Sequence, residues 1–446
     1  SAFFIFDVTN PEKAPTLLGE MTFDSASSVD MGFTTAMPTV VPMKTGANTS
    51  EWYLVMGSGP TAIDGTSTQE AKVAVFRLKN LTTSPRGAFQ IPDAEPTTPN
   101  ETGRFLLSPA ANNGFVSDFI TVDFDLVENY RADVVYFGTV EGTWGNWGGK
   151  VYRLVTHMED LSPAEVPSKP SDWPGLLSAS SLDNPLPFID VGRPVTAAPA
   201  IGWDGKNRWV YFGTGRFFDA ADKTDSSSND QETYYGIKEP QDCNGDLTWK
   251  TVVKSPGSPP TLVTVPGDRG LLQVDQILVH EASTKVGATL SCNGGGIGCL
   301  PLVDGSPIGS FDELVHYIVG TGCPNPGEYT GMDGWYKEFP ADRERNLGQG
   351  TLLGGLLTFT TYQPFDDVCL PEGLAYLYGT YYQTGTAWHE GVFGPANIAV
   401  DADDNVVDRL SIGRGLALTP NLHVGKHTGS KAFVQTSTGA IVEIPQ

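Results

Sequence analysis

The sequence predicts an all-β fold, and three of its features support this prediction. Apolar residues mostly alternate with polar ones or form short runs rich in Val, Ile, Tyr, Phe and Thr. Turn-forming residues bound these runs, and the chain carries 51 Gly and 33 Pro. Helical candidates are few and short, such as Met158–Glu165. The pattern is typical of a β-propeller, with a β-sandwich as the second possibility.

One phrase recurs along the chain: a strand that ends in a turn of small residues. It occurs at Trp52–Gly59, Val134–Thr139, Trp209–Gly215 and His316–Gly322. Outer-strand patterns follow the first two copies, at Lys72–Leu78 and Lys150–Leu154. Repeated strand-and-turn units are the signature of a propeller, in which each four-stranded blade buries its faces against its neighbours. A sandwich would not require the same inner strand to recur.

We therefore expect a single β-propeller domain over residues 1–446, irregular and seven-bladed, with long insertions at about 158–188 and 240–312. Strand patterns at Phe3–Val8 and Phe433–Ile444 fit one shared blade that closes the ring, but a free hairpin at either end would have the same pattern. Because the chain begins within a strand pattern, we expect the full protein to have an N-terminal region that is absent here.

The charge balance argues against several partners. The 28 Lys and Arg against 52 Asp and Glu give a formal net charge of -24. Such a surface repels phosphate backbones and anionic membrane faces, so no nucleic-acid partner is expected. No stretch approaches the roughly 20 apolar residues of a membrane helix, so no membrane span is expected. Acidity also favours divalent cations, although solubility is the simpler explanation.

The five cysteines predict disulfides and an oxidising compartment. They are Cys243, Cys292, Cys299, Cys323 and Cys369, with no CxxC pair and no zinc-site spacing. Cys292 and Cys299 bracket a glycine-rich loop that can close on itself. We expect Cys323 and Cys369 to pair across the fold, which leaves Cys243 over.

Several segments closely resemble the propeller of the PilY1-type family of type IV pilus biogenesis and tip-associated factors. They are Val195–Pro199, Tyr211–Arg216, Tyr234–Ile237, Gly334–Tyr336, Phe359–Pro364 and Val434–Gly439. The resemblance covers nearly the whole chain and is weakest in the two insertions. It implies a pilus biogenesis factor and pilus-tip adhesin, not an enzyme, at the cell surface after passage through the periplasm. Its implied partners are pilus subunits or minor pilins, with a host or surface ligand.

The resemblance also implies calcium as a cofactor that regulates pilus extension and retraction. The family's loop follows D-x-D-x-[DN]-G-x-x-D, because calcium requires several converging oxygens. Here the candidate ligands are Asp123, Asp125, Asn129 and Asp133, with two extra residues before Asn129 and no turn glycine. The alternative is an acidic hairpin in which Arg131 neutralises the carboxylates.

Two further acidic segments are interpreted as loops. Asp401–Asp408 also alternates oxygens, but its final acid comes one position early, so a hairpin turn is favoured over calcium. Residues 219–230 fit a mobile polar loop.

The sequence contains few signs of catalysis. It has no G-x-S-x-G, H-E-x-x-H or phosphate-binding glycine loop, and its six His form no clear cluster. His316, placed in a strand, is interpreted as structural. A quinoprotein dehydrogenase would also be a calcium-binding propeller, but its adjacent paired cysteines are missing. A glycan- or surface-binding propeller remains an alternative, with Trp144, Trp147 and Trp203 available to stack on ligands.

Overall fold

The computed structural model describes most of the chain. The described residues are 2–22, 31–46, 49–78, 102–106, 113–124, 131–156, 170, 173, 186–224, 231–255, 268–281, 288–295, 297–323, 330–365, 367, 370, 372–394, 399–425 and 429–445. They form two compact units, residues 1–198 and 199–446, and each is described by itself. The expected single domain over residues 1–446 stays a prediction.

Residues 1–198 form antiparallel sheets. The strands are β1 (Ala2–Asp7), β2 (Thr16–Thr22), β3 (Thr39–Gly46), β4 (Thr49–Gly57), β5 (Lys72–Arg77), β6 (Thr102–Leu106), β7 (Gly114–Val122), β8 (Val134–Thr143), β9 (Asn146–Gly148), β10 (Lys150–Val155) and β11 (Ile189–Asp190). β1 pairs with β2, and β3 to β6 pair consecutively. A second sheet has the order β11-β10-β8-β7, with β9 paired to β8. The predicted strands near Trp52, Lys72, Val134 and Lys150 are confirmed.

Residues 199–446 carry the remaining strands. They are β12 (Ala200–Trp203), β13 (Arg208–Gly213), β14 (Thr233–Lys238), β15 (Leu271–Gln273), β16 (Ile277–Val279), β17 (Leu290–Cys292), β18 (Leu302–Val303), β19 (Ser306–Pro307), β20 (Gly334–Glu338), β21 (Thr351–Leu353), β22 (Leu356–Pro364), β23 (Gly373–Tyr381), β24 (Arg409–Arg414), β25 (Asn421–Gly425), β26 (Gly429–Gln435) and β27 (Ile441–Pro445). The main sheets have the orders β12-β13-β14-β20-β15, β21-β22-β23-β24 and β25-β26-β27. The all-β prediction is confirmed.

Stacked aromatic rings form the centre of the core in residues 199–446. Tyr234 in β14 stacks on Phe359 in β22 with ring centroids 3.6 Å apart. Phe359 stacks in turn on Tyr378 in β23 at 4.7 Å. All three rings are buried. Because buried aromatic pairs contribute roughly 0.5–1.5 kcal/mol beyond their area, this column ties two sheets together.

Two glycines make room for the largest buried ring. Trp335 in β20 is fully buried, and its indole Nε1 donates a hydrogen bond to the Tyr382 carbonyl at 3.0 Å. A Cβ on Gly236 would lie 2.3 Å from this ring, and one on Gly385 would lie 2.3 Å from its opposite edge. Gly385 also has φ 68°, a conformation that favours glycine. The Trp335 ring therefore excludes side chains at both positions.

The fourth copy of the recurring phrase was wrongly predicted to be a strand. Residues Phe311–Val319 form a helix, α1, which contains His316. Ser310 and Glu313 make a capping box at its start, and Phe311, Leu314 and Ile318 are its buried residues. The spacing of these three residues is that of one helix face, which indicates a helix. The resemblance of Val319–Gly322 to the other turns favoured a strand instead.

The two insertions differ in how much of them is described. Most of 158–188, with the helical candidate Met158–Glu165, lies outside the described residues. The 240–312 insertion contributes β15 to the sheet β12-β13-β14-β20-β15, where β15 and β20 pair in parallel. It also carries the hairpins β16–β17 and β18–β19. This insertion is thus joined to the sheet by strand pairing and is more than a surface loop.

The disulfides confirm one predicted pair and correct the other. Cys292 is bonded to Cys299, as expected. Cys243 is bonded to Cys323, so the predicted pair of Cys323 with Cys369 is wrong, and Cys369 lies outside the described residues. Cys243 follows β14 and Cys323 follows α1, and the fold brings their Cα atoms to 5.6 Å. Sequence spacing alone contained no sign of that approach.

We expect the Cys243–Cys323 bond to stabilise the protein more than the Cys292–Cys299 bond. The first closes a sequence separation of 80 and the second a separation of 7. In the chain-entropy account, the losses on removal are about 4 and about 2 kcal/mol respectively. Urea unfolding of the two double Cys→Ser variants measures this difference. An equal or reversed order would contradict the entropic origin.

Candidate functional site

The predicted calcium ligands belong to the loop between β7 and β8. Val122 and Val134 are opposite each other in the register of these strands. Asp123 therefore directly follows the last strand pair, and Asp133 directly precedes it. Asp125 and Asn129 lie outside the described residues. The structure thus brings two of the four candidate ligands to the base of the loop.

Main-chain and side-chain contacts hold the Asp133 carboxylate in place. Its Oδ2 accepts a hydrogen bond from the Phe124 amide at 2.5 Å. Its Oδ1 lies 3.7 Å from Nε of Arg131, and the two side chains are only 7% and 2% exposed. The Thr156 amide donates to the Asp133 carbonyl at 3.0 Å. Asp133 is therefore oriented toward the loop, but an arginine already contacts one of its oxygens.

The second acidic segment forms a turn, as the favoured interpretation predicted. The Asp401 carboxylate accepts hydrogen bonds from the amides of Asp403 and Asn405, each at 2.9 Å, and from the Asn405 side chain at 2.9 Å. These bonds, led by the one from the Asn405 side chain, lower the pKa of Asp401. An isolated bridge between Val400 and Val406 closes the hairpin.

Sequence reasoning missed another turn of the same design. The Asp242 carboxylate accepts from the amides of Asn244 at 2.8 Å and Asp246 at 3.0 Å. Hydrogen bonds within this loop lower the pKa of Asp242, the largest contribution coming from the Asp246 amide. The signal was present, since Asp and Asn side chains commonly bond the backbone two residues on. Both carboxylates are thus engaged by their own turns.

The family-like segment Gly213–Arg216 is a buried structural junction. Nε of Arg216 lies 2.9 Å from Oδ1 of Asp222, with side-chain exposures of 4% and 1%. Oδ2 of Asp222 accepts from the amides of Phe218 at 2.7 Å and Asp219 at 2.9 Å. A Cβ on Gly213 would lie 2.4 Å from Asn346, so glycine is needed there.

The segment 219–230, predicted to be a mobile loop, begins with a short helix. Ala220–Lys223 form a short 3-10 helix with Asp219 as its N-cap and Asp222 in the capping box. Residues 225–230 lie outside the described residues. The three-residue spacing of Asp219 and Asp222 is that of a capping box and would have predicted this helix start. The acidic and Ser-rich composition of the segment favoured a loop instead.

The candidate ligand-stacking aromatics differ in exposure. Trp203 is 61% exposed and Trp144 is 38% exposed. Trp147 is buried and meets Trp144 edge-to-face, with ring centroids 5.5 Å apart. Of the three, only Trp203 and Trp144 present ring surface to solvent.

Within the described residues, no group of three or more His, Cys, Asp or Glu is arranged to hold a metal ion. In the same part of the chain, no helix has the length and apolar character needed to cross a membrane.

We expect Asp222→Asn to destabilise residues 199–446 by about 3–5 kcal/mol, because it leaves Arg216 charged and buried. Asp219→Asn is the matched control, since asparagine also caps helices and should change stability little. Denaturant unfolding of both variants measures the difference. Equal stability of the two variants would contradict a structural role for this ion pair.

Comparison with known proteins gives two curated relatives, while no protein-family model matches the chain. A type IV pilus biogenesis factor PilY1 of Pseudomonas aeruginosa is 25% identical over 440 residues, which are 94% of this chain and 32% of that protein. A PilY1 homologue of Xylella fastidiosa is 27% identical over 254 residues, 53% of this chain and 14% of that protein. The chain thus spans a third or less of the length of either relative.

The fold also has a solved counterpart. The crystal structure of the Pseudomonas aeruginosa PilY1 C-terminal domain matches with a TM-score of 0.56 at 19% sequence identity. The match covers 99% of this chain and 78% of that domain. The resemblance to the C-terminal region of PilY1-type proteins, predicted from the motifs, is therefore confirmed in sequence and in fold.

Proposed function

We propose that this chain is part of a type IV pilus biogenesis factor and supports pilus assembly. The observation that carries this proposal is the extent of the match, over 94% of the chain in sequence and 99% in structure. The relatives are named for pilus biogenesis and not for a reaction. The cysteines pair at separations of 80 and 7, unlike the adjacent cysteines of quinoprotein dehydrogenases. We therefore propose no catalytic role.

We propose in addition that the sheets are blades of the predicted seven-bladed β-propeller. Two sheets, β3 to β6 and β21 to β24, are four-stranded meanders in which consecutive strands pair. This is the strand order of a propeller blade. The recurring inner strands β4, β8 and β13 each pair with strands on both sides, as expected for strands inside a blade.

The proposed location is the cell surface, on the pilus, reached through the periplasm. Two disulfides are compatible with an oxidising compartment. The proposed partners are pilus subunits or minor pilins. A tip-adhesin role would add a host or surface ligand, and the exposed rings of Trp203 and Trp144 are available for stacking on it. The same rings support the alternative of a glycan-binding propeller.

The assembly role can be tested in the bacterium that encodes the chain. We expect an in-frame deletion of these 446 residues to abolish surface pili while the cellular pilin level stays normal. Immunoblots of sheared and whole-cell fractions measure both quantities. A blot for the rest of the truncated protein controls for its loss. Normal surface pili with the truncated protein present would contradict the proposal.

We also propose that the β7–β8 loop binds calcium through Asp123, Asp125, Asn129 and Asp133. The described ends of the loop offer two carboxylates at its base, and oxygen ligands suit this cation. Arg131 opposes binding, because its guanidinium lies 3.7 Å from an oxygen of Asp133. Calcium would therefore have to displace Arg131 from Asp133. Competition between these two cations could couple metal binding to the loop conformation, and through it to pilus extension and retraction.

We expect Arg131→Gln to raise calcium affinity on the order of tenfold, because it removes a competing positive charge, equivalent to about 1.4 kcal/mol. Asp133→Asn should lower the affinity. Isothermal titration calorimetry of the purified chain measures both changes. Asp403→Ala, in the Asp401 turn, is the control and should leave the titration unchanged. No calcium binding by either the parent or Arg131→Gln would refute the site.

A further inference from the structure

A cavity of about 230 Å³ lies among residues 199–446, beside the end of β14. Its walls come from the β12–β13 turn, the end of β14 and the loop after it, Arg269 shortly before β15, and the end of α1 with residues between α1 and β20. The Cys243–Cys323 disulfide forms part of the wall. The cavity is therefore held by a covalent bond as well as by strands.

Three cationic side chains line this cavity: Lys206, Lys238 and Arg269. Nζ of Lys238 is buried and donates hydrogen bonds to the Ile318 and Val319 carbonyls, each at 3.0 Å. An ammonium has three N–H donors, so a third can serve a ligand. Lys206 reaches the same region, because a Cβ on Gly322 would lie 3.1 Å from its Nζ.

Three carboxylates also line the cavity, those of Glu239, Asp242 and Asp333, and backbone amides engage two of them. Asp333 Oδ2 accepts from the amides of Arg269 at 2.7 Å and Gly270 at 2.9 Å. Asp242 accepts from the amides of its own turn, as described above. The pKa of Lys238 is lowered to about 8, chiefly by burial, with Asp333 and Asp204 opposing the shift and Lys206 and Arg269 adding to it. Burial thus disfavours the charged ammonium, and an anion in contact with it would stabilise the charge.

We propose that this cavity binds the carboxylate of a small acidic sugar, such as a uronate. The three cations would recognise the carboxylate. In the same wall, the Gln241 amide donates to Asn207 at 3.2 Å and the Asn244 amide donates to Asp242 at 3.3 Å. The second N–H and the oxygen of each amide can bond ring hydroxyls. The volume fits one sugar ring and is below the roughly 300–1,000 Å³ of pockets for larger ligands. The proposal rests on the cavity and does not depend on the pilus assignment.

Calorimetry on the full chain tests this with three probes. D-glucuronate should bind, acetate should bind more weakly because it offers only the carboxylate, and D-glucose should not bind. Equal heats for glucuronate and glucose would overturn the proposal. Binding of acetate as strong as that of glucuronate would overturn the sugar part of it.

A pair of variants assigns the binding to this cavity. Lys206→Gln should weaken glucuronate binding about tenfold, and the exposed position of Lys206 leaves the fold intact. Lys13→Gln, an exposed lysine of residues 1–198, is the matched control and should bind as the parent does. Unchanged binding by Lys206→Gln would place the ligand elsewhere and overturn the site.

Proton uptake gives an independent readout of Lys238. An anion that raises the pKa of Lys238 from about 8 makes the complex take up protons near pH 8.5. Titrations in two buffers of different ionisation enthalpy should therefore give different heats at that pH. Identical heats would contradict contact between the ligand and Lys238.

Discussion

The stacking of Tyr234, Phe359 and Tyr378 is the interaction on which the second half of the chain depends. A ring separation of 3.6 Å leaves no space between β14 and β22, so the position of one sheet determines that of the next. Trp335 imposes a second condition, since its ring occupies the space that a side chain at Gly236 would need. The large rings thus pack against glycines that leave room for them. Packing explains the family-like Tyr-Tyr-Gly-Ile segment, because Tyr234 stacks on Phe359 and Gly236 leaves room for Trp335.

Buried charge supplies the links that aromatic packing cannot. Glu344 is fully buried, and it accepts hydrogen bonds from Thr361 at 2.5 Å and Tyr378 at 2.8 Å. Arg409 completes the group at 2.8 Å from Glu344 while its guanidinium lies 3.5 Å from the Tyr376 ring centroid. Such groups are costly unless every member is satisfied, which ties the loops that carry them to particular strands. The buried Glu344 and Arg409 charges therefore fix the positions of these segments more than they add to the net stability of the fold.

Much of the fold could be predicted from the sequence because strands leave a local signature. Short apolar runs rich in Val and aromatic residues in β4, β8 and β13 are local features of the sequence, and these strands were predicted correctly. The α1 helix was predicted to be a strand because the small residues after it resemble the turns that follow the other strands. Its capping box was the local pattern that indicated a helix. The Cys243 partner and the buried role of Arg216 depend on contacts between distant segments, so no local pattern encoded them. For the candidate calcium loop, the sequence indicated the acids, but the contact of Arg131 with Asp133 required coordinates.

The path of the chain between β14 and β20 has a consequence for protein engineering. These two strands are adjacent in one sheet, with Gly236 opposite Trp335, so the chain leaves the sheet and returns beside its point of departure. Cys243 and Cys323 join the outgoing and returning segments close to that point. The disulfide therefore fixes the base of the intervening segment. Its β16–β17 hairpin contributes Ile277, Val279 and Leu290 to the buried core, whereas its β18–β19 hairpin is exposed and could be shortened or exchanged while strand register is retained.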